Sequence, residues 1–128
     1  MRRAFRTTAL CLLTTLVACG SKSSTGGPAV SAAARQEAEA FFTQTCVPCH
    51  GSTGHGDGPG SGALQPKPRS FADASWQDQV SDEQIVKTIT LGGAAVGKSP
   101  VMPAQPQLKE KTELLAALVA KIRAYRGK

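Results

Sequence analysis

The chain has little of what usually builds a protein core. Its 128 residues include one Trp, one Tyr and four Phe. No segment alternates apolar and polar residues over more than a few positions, so nothing in it specifies a sheet. No internal repeat is present, which excludes a stacked array. Neither of its two main apolar runs, Ala9 to Val17 and Leu114 to Val119, is long enough to span a bilayer as a helix. The length itself allows one small domain at most. With so few large apolar side chains, such a domain needs a staple other than its own core.

A disulfide is not that staple. The chain has four cysteines, Cys11, Cys19, Cys46 and Cys49, and each has another expected fate. Arg2, Arg3 and Arg6 form a positive n-region, Ala9 to Val17 an apolar h-region, and Leu16-Val17-Ala18-Cys19 closes it. This is the pattern of a secretory signal. Its ending resembles a bacterial lipobox, with residues 1–18 removed, cleavage before Cys19 and a lipid thioether on Cys19. Paired arginines are ordinary in an n-region and are not taken as a twin-arginine signal. Cys11 leaves with the signal. Gly20 to Pro28 is Gly- and Ser-rich, a flexible composition, so residues 19–30 read as a lipid-anchored tether and residues 31–128 as the domain.

Charge of one sign is also scarce. The full chain carries +6, but loss of the three leader arginines leaves twelve Lys+Arg against nine Asp+Glu. That balance is too mild to argue for nucleic acid. It does permit a lysine-rich rim that docks an acidic redox partner.

What the chain does have is Cys46-Val47-Pro48-Cys49-His50. C-x-x-C-H is the attachment run of a c-type haem: two thiols add across the vinyl groups and the histidine reaches the iron. The alternatives are half of a zinc site or a thiol redox pair. Zinc needs four ligands, and only His55 remains nearby. A thioredoxin-like pair needs a βαβ context, which is missing. Haem c, one group held through Cys46 and Cys49 with His50 on the iron, is the expected cofactor, and a buried porphyrin is the expected staple.

For the iron's other side the domain offers Met102 and His55. His55 is five residues past His50, in the loop that leaves it. Met102 lies 52 residues on, between Pro100 and Pro103, which stiffen the segment presenting the thioether. Met102 is therefore the expected sixth ligand. A soft, neutral thioether favours Fe(II) and raises the potential.

Around these residues the pattern predicts helices. Ser31 is an N-cap for a helix over 32–45, with Ala34, Ala38, Phe41, Phe42 and Thr45 on one face. Residues 51–62 are mostly glycine and small polar residues, without a regular element. Prolines make 63–69 extended, and Phe71 and Trp76 fall in the loop that follows. Ser81 and Gln84 form a capping box for a helix over 82–91, ended by Gly92-Gly93. A proline-punctuated loop covers 94–107. The last helix begins near 109–112 and runs to about 126, with Leu115, Leu118, Ile122 and Tyr125 on one face.

The region from about Ser31 to Arg126 resembles the class I monohaem cytochromes c. The resemblance is carried by Cys46 to His50, by Ser99 to Ala104 around Met102, by Ala38 and Phe42 in the first helix, and by Ile122 and Tyr125 in the last. It implies an all-α fold: about three to four helices packed around one covalently bound haem, with long irregular loops. It implies a proline carbonyl that accepts the His50 N–H, with Pro59, Pro66 and Pro68 as candidates and Pro66 preferred. By their own chemistry, Arg69 and Trp76 are candidate hydrogen-bond partners for a haem propionate, charge-assisted in the case of Arg69.

The expected function is a one-electron carrier, not an enzyme, held on the periplasmic side of a membrane and exchanging electrons with redox partner proteins. Gly20 after Cys19 lacks the acidic inner-membrane retention signal, which favours the outer membrane. Two other readings stay open: a cytochrome subunit of a membrane respiratory complex, and a haem enzyme or ligand sensor with an open sixth position.

Overall fold

The computed structural model describes residues 30–128. The leader, Cys19 and the tether up to residue 29 lie outside the described residues. Among those described, every regular element is helical: α1 (Ala32–Phe41), α2 (Val47–His50), α3 (Ala74–Gln79), α4 (Asp82–Ala95) and α5 (Thr112–Arg123). Short 3-10 turns lie at Pro59–Ser61 and Pro106–Leu108. No helix there is long and apolar enough to cross a membrane.

The caps do what their residue types predict. Ser31 accepts the Ala34 N–H at 3.1 Å, relieving one of the unpaired donors that open any helix. Ser81 and Gln84 bond reciprocally, at 3.2 and 2.9 Å. Gly92 breaks α4 with φ 78° and ψ 169°, and one further helical turn follows to Ala95.

Two elements depart from the expectation. The first helix does not run into Cys46 as a regular α-helix. Residues Phe42–Cys46 form a π turn in which the Val47 N–H reaches Phe42 O, five residues back. The extra residue keeps Phe42 in the core, 1 % exposed, while Cys46 turns into the cavity described below. Such turns concentrate at functional sites. The second departure is α3, expected as loop. Asp73 caps it through the Trp76 N–H at 3.1 Å, but six residues are too few to display a helical period.

The core lies where α1 crosses α5. Ala34, Ala38 and Phe42 meet Leu114, Leu115, Leu118 and Ile122. Thr45 is exposed and Phe41 only half-buried, so the apolar face of the first helix is narrower than expected; Tyr125, just past the end of α5, is also half-buried. Phe42→Ala should cost about 3–5 kcal/mol, read as a lowered denaturant midpoint. An unchanged midpoint would remove Phe42 from the core.

A polar knot closes the far side. Gln77, 4 % exposed, donates to Phe71 O and Ile122 O at 2.8 and 2.9 Å. Arg123 donates to Gln77 O, Gln77 Oε1, Val80 O and Asp82 at 2.7–2.8 Å. It joins α3, α4 and α5 around one guanidinium, whose rigid fork suits several acceptors at once.

Candidate cofactor site

α1, the π turn and α2 form one rod that ends at His50. α2 stops there because Gly51 takes φ 78° and ψ 155°, a region open essentially to glycine alone. The chain then folds back beneath the motif. Gly56 and Gly58 donate to His50 O and Cys49 O at 2.8 and 3.1 Å, satisfying carbonyls that a helix end leaves unpaired. The glycine-rich loop is thus a backbone clamp on the motif.

The His50 ring is fixed on two sides. Phe71 stacks on it with centroids 4.4 Å apart and planes 14° off parallel. Nδ1 lies 3.0 Å from the carbonyl of Arg69. That carbonyl takes the place expected for a proline, so Pro66 does not orient His50. The reason is local: the Phe71 N–H bonds Gly54 O at 2.6 Å, which brings residues 69–71 alongside the ring and leaves Pro66 upstream. An Nδ1–H donated to Arg69 O leaves Nε2 as the nitrogen able to bind a metal. Burial lowers the His50 pKa, with the Arg69 carbonyl opposing, and so favours the neutral, ligating imidazole.

Cys46, Cys49, His50 and Met102 all line one cavity of about 950 Å³. This is at the upper end of the roughly 300–1,000 Å³ typical of ligand pockets. Phe71, Ile85, Ile89 and Leu118 give it apolar walls. Pro66, Arg69 and Trp76 line it as well, so the structure brings every expected site residue of the domain to one place. Pro66 contributes wall only. Arg69 is exposed, 5.9 Å over the Trp76 ring and 3.7 Å from Asp73. His55 is exposed and its Nδ1 faces Thr53 Oγ1 at 3.1 Å; it does not line the cavity.

The surroundings of Cys46 favour haem attachment over the other chemistries. Burial pushes Cys46 up to about 11, with Lys121 opposing and Cys49 adding to the rise. A redox-active pair needs a lowered thiol pKa, near 7 in thioredoxin. No group of three or more His, Cys, Asp or Glu able to hold a metal ion occurs among the described residues. Two thiols and an imidazole on the wall of a large apolar cavity fit a flat, covalently held macrocycle.

A helical fold with a C-x-x-C-H rod end opening on such a cavity defines a c-type haem protein. The chain belongs to the cytochrome c family, whose model matches residues 36–125. Haem c is its cofactor, attached through Cys46 and Cys49, and electron transfer its general role. Among solved structures it is similar to the KustC0563 c-type cytochrome, at 36 % identity over 68 % of this chain and 94 % of that one, TM-score 0.49. A tyrosine-to-phenylalanine mutant of that protein gives 36 % identity over 70 % and 98 %, TM-score 0.49. No curated protein matches the chain.

Proposed function

We propose that the protein is a one-electron carrier whose haem is ligated by His50 and Met102, tethered to a membrane surface through Cys19. The observation that carries this reading is that His50 and Met102 line the same cavity. Bound there, the haem supplies a one-electron iron couple. The chain's part is to hold the two ligands, exclude water with Phe71, Ile85 and Leu118, and keep His50 neutral. With His50 and Met102 both holding the group, no site on it would be open to oxygen or peroxide, and a site that kept both residues through electron transfer would reorganise little.

The near-infrared Met–Fe(III) charge-transfer band tests the ligation. Its presence, with no carbon monoxide uptake by the reduced protein, supports the carrier. A high-spin iron that takes carbon monoxide overturns it in favour of an enzyme or sensor. Purification from solubilised membranes separates a free, lipidated carrier from a subunit of a respiratory complex. Detection of a lipid on Cys19 by mass spectrometry tests the anchor, and fractionation places it in the outer or the inner membrane.

The cavity wall also favours an acidic partner. Lys67, Arg69, Lys87 and Lys98 line it, and none of the described residues lining it is Asp or Glu. The ion pairs of the described residues take up Arg69 but none of these three lysines. Val101 stands beside them, 55 % exposed. Electron exchange with anionic ferricyanide should therefore slow as salt rises, because the Debye length falls from about 10 Å at 0.1 M to about 3 Å at 1 M. The double variant Lys87→Glu/Lys98→Glu should lower that rate by about tenfold at low salt and raise the rate with a cationic ruthenium hexaammine. Equal responses to both reagents would remove the electrostatic role.

A further inference from the structure

Resting on the reading that Met102 ligates the iron, we propose that Gly92 and Gly93 are the positioning residues for that ligand. They form the seat that sets how far the segment 98–104 carries Met102 into the cavity.

The seat is built from backbone. The Gly93 N–H donates to Met102 O at 3.0 Å, and Gly93 O accepts from the Lys98 N–H at 2.8 Å. The Met102 N–H turns back to Ser99 O at 3.3 Å, and the Gln105 N–H closes the far end on Ile89 O at 3.0 Å. Met102 is thus held at its own carbonyl, with the segment pinned on either side of it to the end of α4.

No room is left for a side chain at this junction. A Cβ on Gly93 would overlap the Ser99 carbonyl oxygen and stand 3.2 Å from Met102 Cβ. A Cβ on Gly92 would stand 2.8 Å from Ala104 N and 3.0 Å from Met102 O, at a backbone conformation that only glycine holds without strain. Both glycines are buried. A single methyl group must therefore push the segment outward, and Met102 moves with it. A metal–thioether contact depends steeply on distance, whereas the thioether bonds at Cys46 and Cys49 do not feel the change.

Gly127 supplies the control. It has φ 72°, a Cβ there meets nothing within 4 Å, and it does not line the cavity. Gly127→Ala carries the backbone strain without touching Met102 or the haem site.

The test uses the haem-loaded full chain. Gly93→Ala should lose at least half of the near-infrared band, bind carbon monoxide when reduced, and show a lowered reduction potential. Gly127→Ala should keep the band and exclude carbon monoxide while unfolding at lower denaturant. A wild-type band and potential in Gly93→Ala overturn the seat alone. Absence of the band from the wild type overturns the ligation reading, and the seat with it.

Coupling between ligand and seat must be reciprocal, which gives a second measurement that does not need Gly93→Ala to fold. Amide exchange at Gly93 and Lys98 should accelerate about tenfold or more in Met102→Ala. Unchanged exchange there overturns the proposal as well.

Discussion

A Cys46→Ser/Cys49→Ser chain is expected to retain no covalent haem and to lose its cooperative fold. The cavity those thiols open on holds about 950 Å³. Engineered apolar cavities that stay dry in an otherwise intact protein are near 150 Å³, and this one is about six times larger. Empty, it must collapse or fill with water, and either outcome exposes Phe71, Ile85 and Leu118 to a loss that the small α1–α5 core does not offset. The helices have their own caps at Ser31 and Ser81, so they should outlast the tertiary packing. The double variant should show near-wild-type far-ultraviolet circular dichroism, a lost near-ultraviolet signal and dye binding, the pattern of a loosened compact state. The alkaline pyridine haemochrome should be absent from the washed, denatured chain. A cooperative unfolding transition like that of the wild type would show that the haem is not the staple.

That outcome also bears on how the sequence is read. The scarcity of aromatic residues pointed to a missing core component, and the structure places a large apolar cavity at the motif. Local signals were legible where one residue type performs one task. Ser31, the Ser81–Gln84 box and Gly92 each mark an element end through their own backbone chemistry. Cys46, Cys49 and His50 were legible because haem attachment needs those atoms at that spacing.

What could not be read depends on contacts between distant segments. The π turn at Phe42–Cys46 follows from the need to bury Phe42 against α5 while aiming Cys46 elsewhere, and neither demand shows in a local window. α3 is six residues long and holds because Gln77 bonds Phe71 and Ile122, a partner 45 positions away. The resemblance places the His50 partner among prolines, but a carbonyl carries no sequence signature. Arg69 supplies it because Phe71 stacks on the ring and is tied to Gly54. Gln77 and Arg123 carried no signal beyond being polar residues near helix ends.

The second large effect concerns the open side of the iron. Met102→Ala should abolish the near-infrared Met–Fe(III) band, let the reduced protein bind carbon monoxide, and lower the potential by on the order of 100 mV, within the roughly 0.8 V that axial ligands span. For one electron, 100 mV is about 2.3 kcal/mol. A core defect in a small domain costs as much, so the unfolding midpoint must be measured beside the potential. Met102 is only half-buried, so the variant should lose little global stability, the loosening staying local to the segment seated on Gly93. His55 offers no rescue, since it lies exposed against Thr53 behind the proximal loop. Met102→His separates the thioether from occupancy itself. An imidazole at 102 should also remove the band and lower the potential, but it should keep carbon monoxide out. If Met102→Ala leaves band, potential and gas binding as in the wild type, Met102 is wall and not ligand, and the case for a closed, carrier-type iron falls with it.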